Sequence, residues 1–141
     1  MGSASLSQAK KVMVFGTFDG LHQGHLNFFK QARKYGNKLI VVVARDENVR
    51  KIKGRLPKLG ERARVRGVKQ GIKGSRDQVI SGSLKDPYQV IRKYKPNVIC
   101  LGYDQYSFTK GLNKKFPKIK IVRLKPYKAK IYKSSKMNYE F

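Results

Sequence analysis

Three short apolar segments constrain the fold of this 141-residue chain more than any other feature. They are KVMVFG (11–16), KLIVVVA (38–44) and NVICLG (97–102). Each segment is apolar at consecutive positions rather than at alternate ones, which is typical of strands that are buried on both faces. Strands of this kind occur in parallel sheets covered by helices on both sides, so the three segments predict such a sheet.

Weaker patterns between these segments predict the other elements. Two further strands are predicted at DQVISG (77–82) and KIKIVRL (118–124), and the second alternates enough to be an edge strand. Helices are predicted over residues 24–37, 61–72 and 86–95. We expect Gly36 to end the first helix, and Asp86 to be the N-cap of the third.

Two polar segments carry no clear period. Residues 45–60 are rich in Lys, Arg, Gly and Pro and are predicted to form a loop or a lid, and residues 103–117 a loop with one helical turn. Strands that alternate with helices predict an α/β fold, a Rossmann-like, doubly wound sheet of five parallel strands in a single domain. This domain is expected over residues 11–136, with polar tails at 1–10 and 137–141.

Targeting and redox signals are few. No apolar run approaches the roughly 20 residues that span a bilayer, and the first residues lack the apolar stretch of a signal peptide. We therefore expect a cytoplasmic protein that does not associate with membranes. The single cysteine, Cys100, cannot form an internal disulfide and is expected to be a small buried core residue.

The net charge of +25, from 33 Lys and Arg against 8 Asp and Glu, has two explanations. It could serve a polyanionic partner such as nucleic acid, or it could result from engineered supercharging of the surface. Engineered supercharging is suggested by charges that are unfavourable at their positions in the predicted helices. Lys30 and Lys34 are like charges four residues apart on a predicted helix, and Arg62 and Arg64 occupy a first turn that favours acids. Both explanations stay open.

Both histidines of the chain lie in one motif, FGTFDGLHQGH (15–25), directly after the first predicted strand. A second polar cluster, GYDQ (102–105), follows the fourth strand, and ligands of such sheets bind beyond the carboxyl ends of the strands. His22 and His25 stand three apart at the start of a helix, whose N–H groups favour phosphate. Gly16 and Gly24 leave room for a ligand. The motif predicts a triphosphate site that stabilises charge at a phosphoryl group.

The same residues also bear on metal binding. Two histidines and Asp19 could in principle bind zinc, but the chain holds no other histidine and only one cysteine. A structural zinc is therefore not expected. Mg²⁺ that enters with a nucleoside triphosphate, held mainly by its phosphates, fits the motif better.

The motif also carries a family resemblance. GTFDGLHQGH is similar to the signature of the cytidylyltransferase-like nucleotidyltransferases. Together with LIVVVARDENVRKIKG (39–54), VICLGYDQ (98–105) and YKSSK (132–136), it resembles the archaeal-type FAD synthases, or FMN adenylyltransferases, over about residues 11–136. The resemblance implies an enzyme that uses ATP and Mg²⁺ to convert FMN into FAD and pyrophosphate. It also implies a homodimer, although the charge on each subunit opposes association at low salt.

The resemblance further implies roles for individual residues. His22 and His25 match the pair that contacts the triphosphate and stabilises the transition state, and Lys51 or Lys53 matches a mobile lysine that reaches the α-phosphate. The nucleotide-binding positions implied are Phe15, Gly16, Thr17, Phe18, Asp19, Arg62, Gly102, Tyr103, Asp104, Gln105, Ser134, Ser135 and Lys136.

Two other functions remain open at this stage. One is a transferase that joins CTP to a small phosphorylated alcohol, which would need no wall for a flat ring. The other is a charged scaffold that binds nucleic acid nonspecifically through dispersed bases and interleaved aromatic residues. For a flavin, the candidate wall residues are Tyr103, Tyr106, Phe108 and Tyr127.

Overall fold

The computed structural model describes residues 10–72, 76–84, 86–106 and 109–127. Its strands are β1 (Lys11–Gly16), β2 (Lys38–Val43), β3 (Gln78–Ser81), β4 (Val98–Leu101) and β5 (Lys120–Arg123). Its helices are α1 (Gln23–Arg33), α2 (Asp46–Lys53), α3 (Glu61–Gly71), α4 (Gln89–Tyr94) and α5 (Leu112–Lys115). Residues 1–9 and 137–141 of the predicted tails and the YKSSK segment lie outside the described residues.

The five strands form one parallel sheet in the order β3-β2-β1-β4-β5. The chain moves outward from β1 to β3, then returns to the other side of β1 with β4. The order therefore reverses between β1 and β4, and ligands of such sheets bind at this switch point, beyond the carboxyl ends of the strands. The predicted α/β, Rossmann-like, doubly wound sheet of five parallel strands is confirmed.

Side chains of the central strands enter two separate cores, one on each face of the sheet. In β1, Val12 and Val14 pack in the core beneath α1 and α3, whereas Met13 and Phe15 pack in the core beneath α4 and α5. β2 and β4 divide their side chains in the same way. Burial on both faces is why these strands are continuously apolar, and β5, with two exposed residues, is the edge strand that its alternation predicts.

Two local predictions differ from the structure. Residues 46–53, predicted as loop or lid, form helix α2, because acids in its first turn and bases in its last turn complement the helix dipole, and Gly54 caps it with φ 80°. Gly36 does not cap α1, whose C-cap is Lys34. A Cβ at Gly36 would lie 2.4 Å from the Lys10 carbonyl oxygen, so this glycine permits close packing against the start of β1.

The third predicted helix begins later than expected. α4 starts at Gln89, and the Asp86 carboxylate accepts the Tyr88 N–H at 2.9 Å, so Asp86 caps the turn that leads into the helix. A hydrogen bond from Arg92 lowers the pKa of Asp86. Cys100 is fully buried as predicted, and burial raises the pKa of its thiol to about 12. Among the described residues, no helix is long and apolar enough to cross a membrane.

Candidate active site

The two histidines lie at the start of α1, directly beyond the carboxyl end of β1. His22 is the N-cap residue, and its Nδ1 accepts the Gly24 N–H at 2.9 Å. The Nδ1 of His25 accepts the His22 N–H at 3.3 Å. The ring centroids are 4.0 Å apart and the ring planes differ by 29°, so the two imidazoles stack.

These hydrogen bonds decide which nitrogen of each ring can donate. A ring nitrogen that accepts a backbone N–H carries no proton, so each neutral imidazole carries its proton on Nε2. The ring of His25 is also held edge-on against Phe18, with centroids 5.5 Å apart. Each histidine therefore carries an Nε2–H donor beside a helix N-terminus, where phosphate oxygens are favoured. His22 is half-buried, whereas His25 is only 2% exposed.

Phe18 and Asp19 shape the loop between β1 and α1. Phe18 is buried and has φ 56°, a left-handed conformation that is uncommon for residues other than glycine. The two carboxylate oxygens of Asp19 accept backbone N–H groups from Lys58 at 2.7 Å and Leu59 at 2.8 Å. Asp19 thereby ties this loop to the segment between α2 and α3.

A fully buried arginine connects the same loop to three other segments. The Nη1 of Arg64, in α3, donates to the carbonyl oxygens of Thr17 and Ala44, both at 2.8 Å. Its Nε donates to the Leu59 carbonyl at 2.9 Å, and its Nη2 pairs with the Asp46 carboxylate. The loop that carries the histidine motif is thus fixed to the end of β2, to α2 and to α3.

The loop after β4 lies beside the loop after β1, and Gln105 joins the two. Its Nε2 donates to the Phe15 carbonyl at 2.9 Å, and its Oε1 accepts the Gly102 N–H at 3.1 Å. Gln105 is 6% exposed, so these two bonds satisfy a buried amide. They hold the GYDQ cluster beyond the carboxyl end of β4, beside the end of β1.

A cavity opens on the face of the sheet that carries α4. It is mainly apolar and is lined by Phe15, Gly16, Thr17, Val42, Ala44, Asn48, Val49, Ile52, Lys53, Gly82, Ser83, Pro87, Val90, Gln105 and Tyr106. The histidine pair does not line this cavity. Residues 15–17 line it while the next residue, Phe18, contacts His25, so the loop after β1 has the cavity on one side and the imidazoles on the other.

Comparisons with known proteins identify the family of this chain. The sequence profile of the family described as Cytidylyltransferase-like matches residues 13–136. The chain belongs to the cytidylyltransferase-like family. A relative in Korarchaeum cryptofilum, named FAD synthase, is 42% identical over 126 residues, which are 84% of each chain. Another FAD synthase, from Aciduliprofundum boonei, is 40% identical over 83% of this chain and 79% of its own.

A solved structure shares the fold of this family member. The crystal structure titled as the lipopolysaccharide core biosynthesis protein from Thermoplasma volcanium GSS1 superposes with a TM-score of 0.77 at 36% identity, covering 85% of this chain and 99% of that one. A Thermoplasma volcanium relative named FAD synthase is likewise 36% identical, over 89% of both chains. Both comparisons span most of each chain.

The two lysines implied for this cytidylyltransferase-like site, Lys51 and Lys53, differ in exposure and in their position relative to the cavity. Lys53 lines the cavity and is half-buried, whereas Lys51 is exposed and is not part of the lining. The two residues stand two apart on α2, and each residue rotates a helix by about 100°, so they project from nearly opposite faces. The choice between the two lysines depends on the orientation of α2. The sequence could not supply that orientation, because this segment was predicted as a loop or a lid.

Other implied residues are distributed as follows. Arg62 is exposed on α3, and Tyr103 and Asp104 are half-buried in the loop after β4. Of the candidate wall residues, Tyr106 lines the cavity, whereas Tyr103 and Tyr127 do not. Phe108, Ser134, Ser135 and Lys136 lie outside the described residues. The wall that the structure describes is therefore largely aliphatic.

Arg64 and Arg123 differ in how much of their role the sequence signals. Arg64 was taken for a surface charge, yet it stands four residues before the buried Val68 on the same helical face, a signal that the pattern contained. Arg123 gave no signal, because its partners are backbone carbonyls of a distant loop.

Metal-binding side chains are sparse around the site. In the described ranges, no group of three or more His, Cys, Asp or Glu residues is arranged to hold a metal ion. Both oxygens of Asp19 already accept backbone N–H groups. Asp19 is therefore already engaged by the backbone of the segment between α2 and α3.

Proposed function

We propose that this protein is an FMN adenylyltransferase, which joins the adenylyl group of ATP to FMN and releases pyrophosphate. The relatives named FAD synthase, at up to 42% identity, support the substrates. The observation that carries the chemistry is the stacked pair of His22 and His25 at the N-terminus of α1. Two Nε2–H donors fixed by backbone hydrogen bonds need no rearrangement when charge develops on the phosphates.

The reaction needs positioning more than proton transfer. An oxygen of the FMN phosphate attacks the α-phosphorus, forming a P–O bond, while the bond from that phosphorus to the β-phosphate bridging oxygen breaks. A phosphate monoester has its second pKa near about 6, so the attacking group is already ionised at neutral pH. This is why the site offers cations and donors rather than a general base.

The remaining residues take roles around this step. Lys53, in the cavity lining, is the better placed of the two lysines to meet phosphate on that side, and Arg62 and residues 134–136 remain implied nucleotide contacts. ATP enters as its Mg²⁺ complex, and Asp19 acts by holding the loop. The homodimer and the cytoplasmic location stay predictions from the sequence.

The cavity favours FMN over a small phosphorylated alcohol as the acceptor. Its lining includes Val42, Val49, Ile52, Val90 and Tyr106, an apolar surface that suits a flat ring system and offers little to glycerol phosphate. We expect ATP with FMN to yield FAD, detected by chromatography, and CTP with glycerol phosphate to yield no product above background. Turnover only with the CTP pair would overturn the FMN assignment and leave the family assignment intact.

Nonspecific binding of nucleic acid is a second expected property, supported by the net charge of +25. Binding of this kind releases counterions, so affinity should fall steeply with salt, on the order of 10³-fold or more between about 50 and 200 mM. Fluorescence anisotropy of labelled single-stranded RNA over a salt series measures it. A flat dependence, or no binding at about 50 mM salt, would contradict it.

A further inference from the structure

Arg123 is the last residue of the edge strand β5 and holds the loop that follows β4. Its Nη1 donates to the carbonyl oxygens of Gly102 and Gln105, both at 2.8 Å. One nitrogen therefore fixes both ends of a four-residue loop. Gln105 in turn bonds to the Phe15 carbonyl, so the loop is held from β5 on one side and from β1 on the other.

The guanidinium of Arg123 also lies against an aromatic ring. Its Cζ is 4.3 Å from the centroid of Tyr106, a contact distance for cation–π stacking. Tyr106 is 66% exposed and lines the cavity, whereas Arg123 does not line it. Arg123 therefore contacts a ring of the cavity lining without lining that cavity itself.

The contact of Arg123 with Tyr106 affects ligand binding because an exposed tyrosine otherwise samples several rotamers. A ligand that stacks on such a ring must immobilise it, which weakens binding. Arg123 fixes the ring beforehand through a planar group that is itself fixed by two hydrogen bonds. Lysine could keep the charge and donate to a carbonyl, but it has no planar face to stack.

We propose that Arg123 is a positioning residue that holds Tyr106 as a preformed wall for a planar aromatic acceptor. The wall would favour an acceptor phosphate attached to a flat ring system over a small alcohol phosphate. This inference rests on the proposed function, since FMN is the acceptor of that class.

The test is Arg123→Lys, which keeps the net charge. The KM for FMN is expected to rise roughly 3- to 10-fold, the cost of ordering one side chain on binding, while kcat and the KM for ATP stay within about twofold. Arg66→Lys, the same chemical change at an exposed position of α3, is the matched control and should leave all three constants unchanged. Flavin fluorescence without ATP measures FMN binding directly.

A double-mutant cycle separates positioning from a general loss of structure. Tyr106→Leu should also raise the KM for FMN, and adding Arg123→Lys to it should have little further effect, because the arginine acts through the ring. An unchanged KM for FMN in Arg123→Lys, an equal rise in the KM for ATP, or an undiminished effect in the Tyr106→Leu background would each overturn the inference. If the wild-type protein forms no FAD, the proposed function fails first.

Discussion

Replacing His25 by asparagine is expected to lower nucleotidyl transfer by about 10²- to 10³-fold, the scale of losing one fixed donor at a charged transition state. The Oδ1 of asparagine lies near the position of Nδ1 and can accept the His22 N–H, as the imidazole does at 3.3 Å. Asparagine has no counterpart to Nε2–H. The substitution therefore removes the proposed donor and keeps the capping hydrogen bond.

His22→Asn tests the second proposed donor independently of His25→Asn. Asparagine is among the preferred N-cap residues and can accept the Gly24 N–H, so His22→Asn should leave stability unchanged or slightly higher. Initial rates of FAD formation, beside urea unfolding of each variant, separate activity from folding. Gln23→Asn, at an exposed neighbour in the first turn of α1, serves as the control. Rates within about fivefold of wild type in both histidine variants would remove their catalytic role.

Arg64→Met is expected to lower the free energy of unfolding by about 3 kcal/mol or more, the largest effect on stability that we predict. Methionine keeps much of the volume but donates no hydrogen bond. Three carbonyl oxygens lose their charged donor, and the Asp46 carboxylate loses its ion pair but keeps the Glu61 N–H. Since one of those carbonyls belongs to Thr17, the histidine loop should also lose its fixed position.

Arg66→Met provides the matched control for this prediction. It makes the same chemical change two residues further along α3, at an exposed position, and should change the unfolding free energy by no more than about 0.5 kcal/mol. Urea denaturation at fixed pH and salt measures both variants. Equal effects at the two positions would mean that the lost charge matters, and not the hydrogen bonds of Arg64.

Arg64 also shows where sequence reasoning reached its limit. In the first turn of a helix it was read as an unfavourable surface charge and counted toward supercharging. It is 0% exposed, so it belongs to the core and does not bear on the surface charge. Arginine is rarely buried, and its partners here are carbonyl groups from three segments that only the folded chain brings together.

The sheet, in contrast, could be predicted because its signal is local. Segments such as KVMVFG are apolar at every position, and the two cores on either side of β1 explain that pattern. The helix at residues 46–53 was missed because it is short and most of its residues are charged, so its only large apolar residues are Val49 and Ile52. Its signals were the charges at its ends and Gly54 beyond it.

The location of the site could be predicted, but not which side chains share it. The motif placed His22 and His25 after a buried strand, and parallel strands bring their carboxyl ends together. The choice between Lys51 and Lys53, and the contact of Arg123 with Tyr106, depend on how α2 and β5 are oriented. A sequence pattern can predict that these elements form, but not which of their side chains face one cavity.

The most direct test of the central claim follows the phosphorus atoms of ATP. The wild-type protein is incubated with Mg²⁺, FMN and ATP that is labelled at either the α- or the γ-phosphorus, and the products are separated. We expect the α-label in FAD and the γ-label in pyrophosphate, because attack at the α-phosphorus forms one P–O bond and releases the other two phosphates together. Transfer of the γ-label to the acceptor, or release of the α-label only as AMP, would contradict the account.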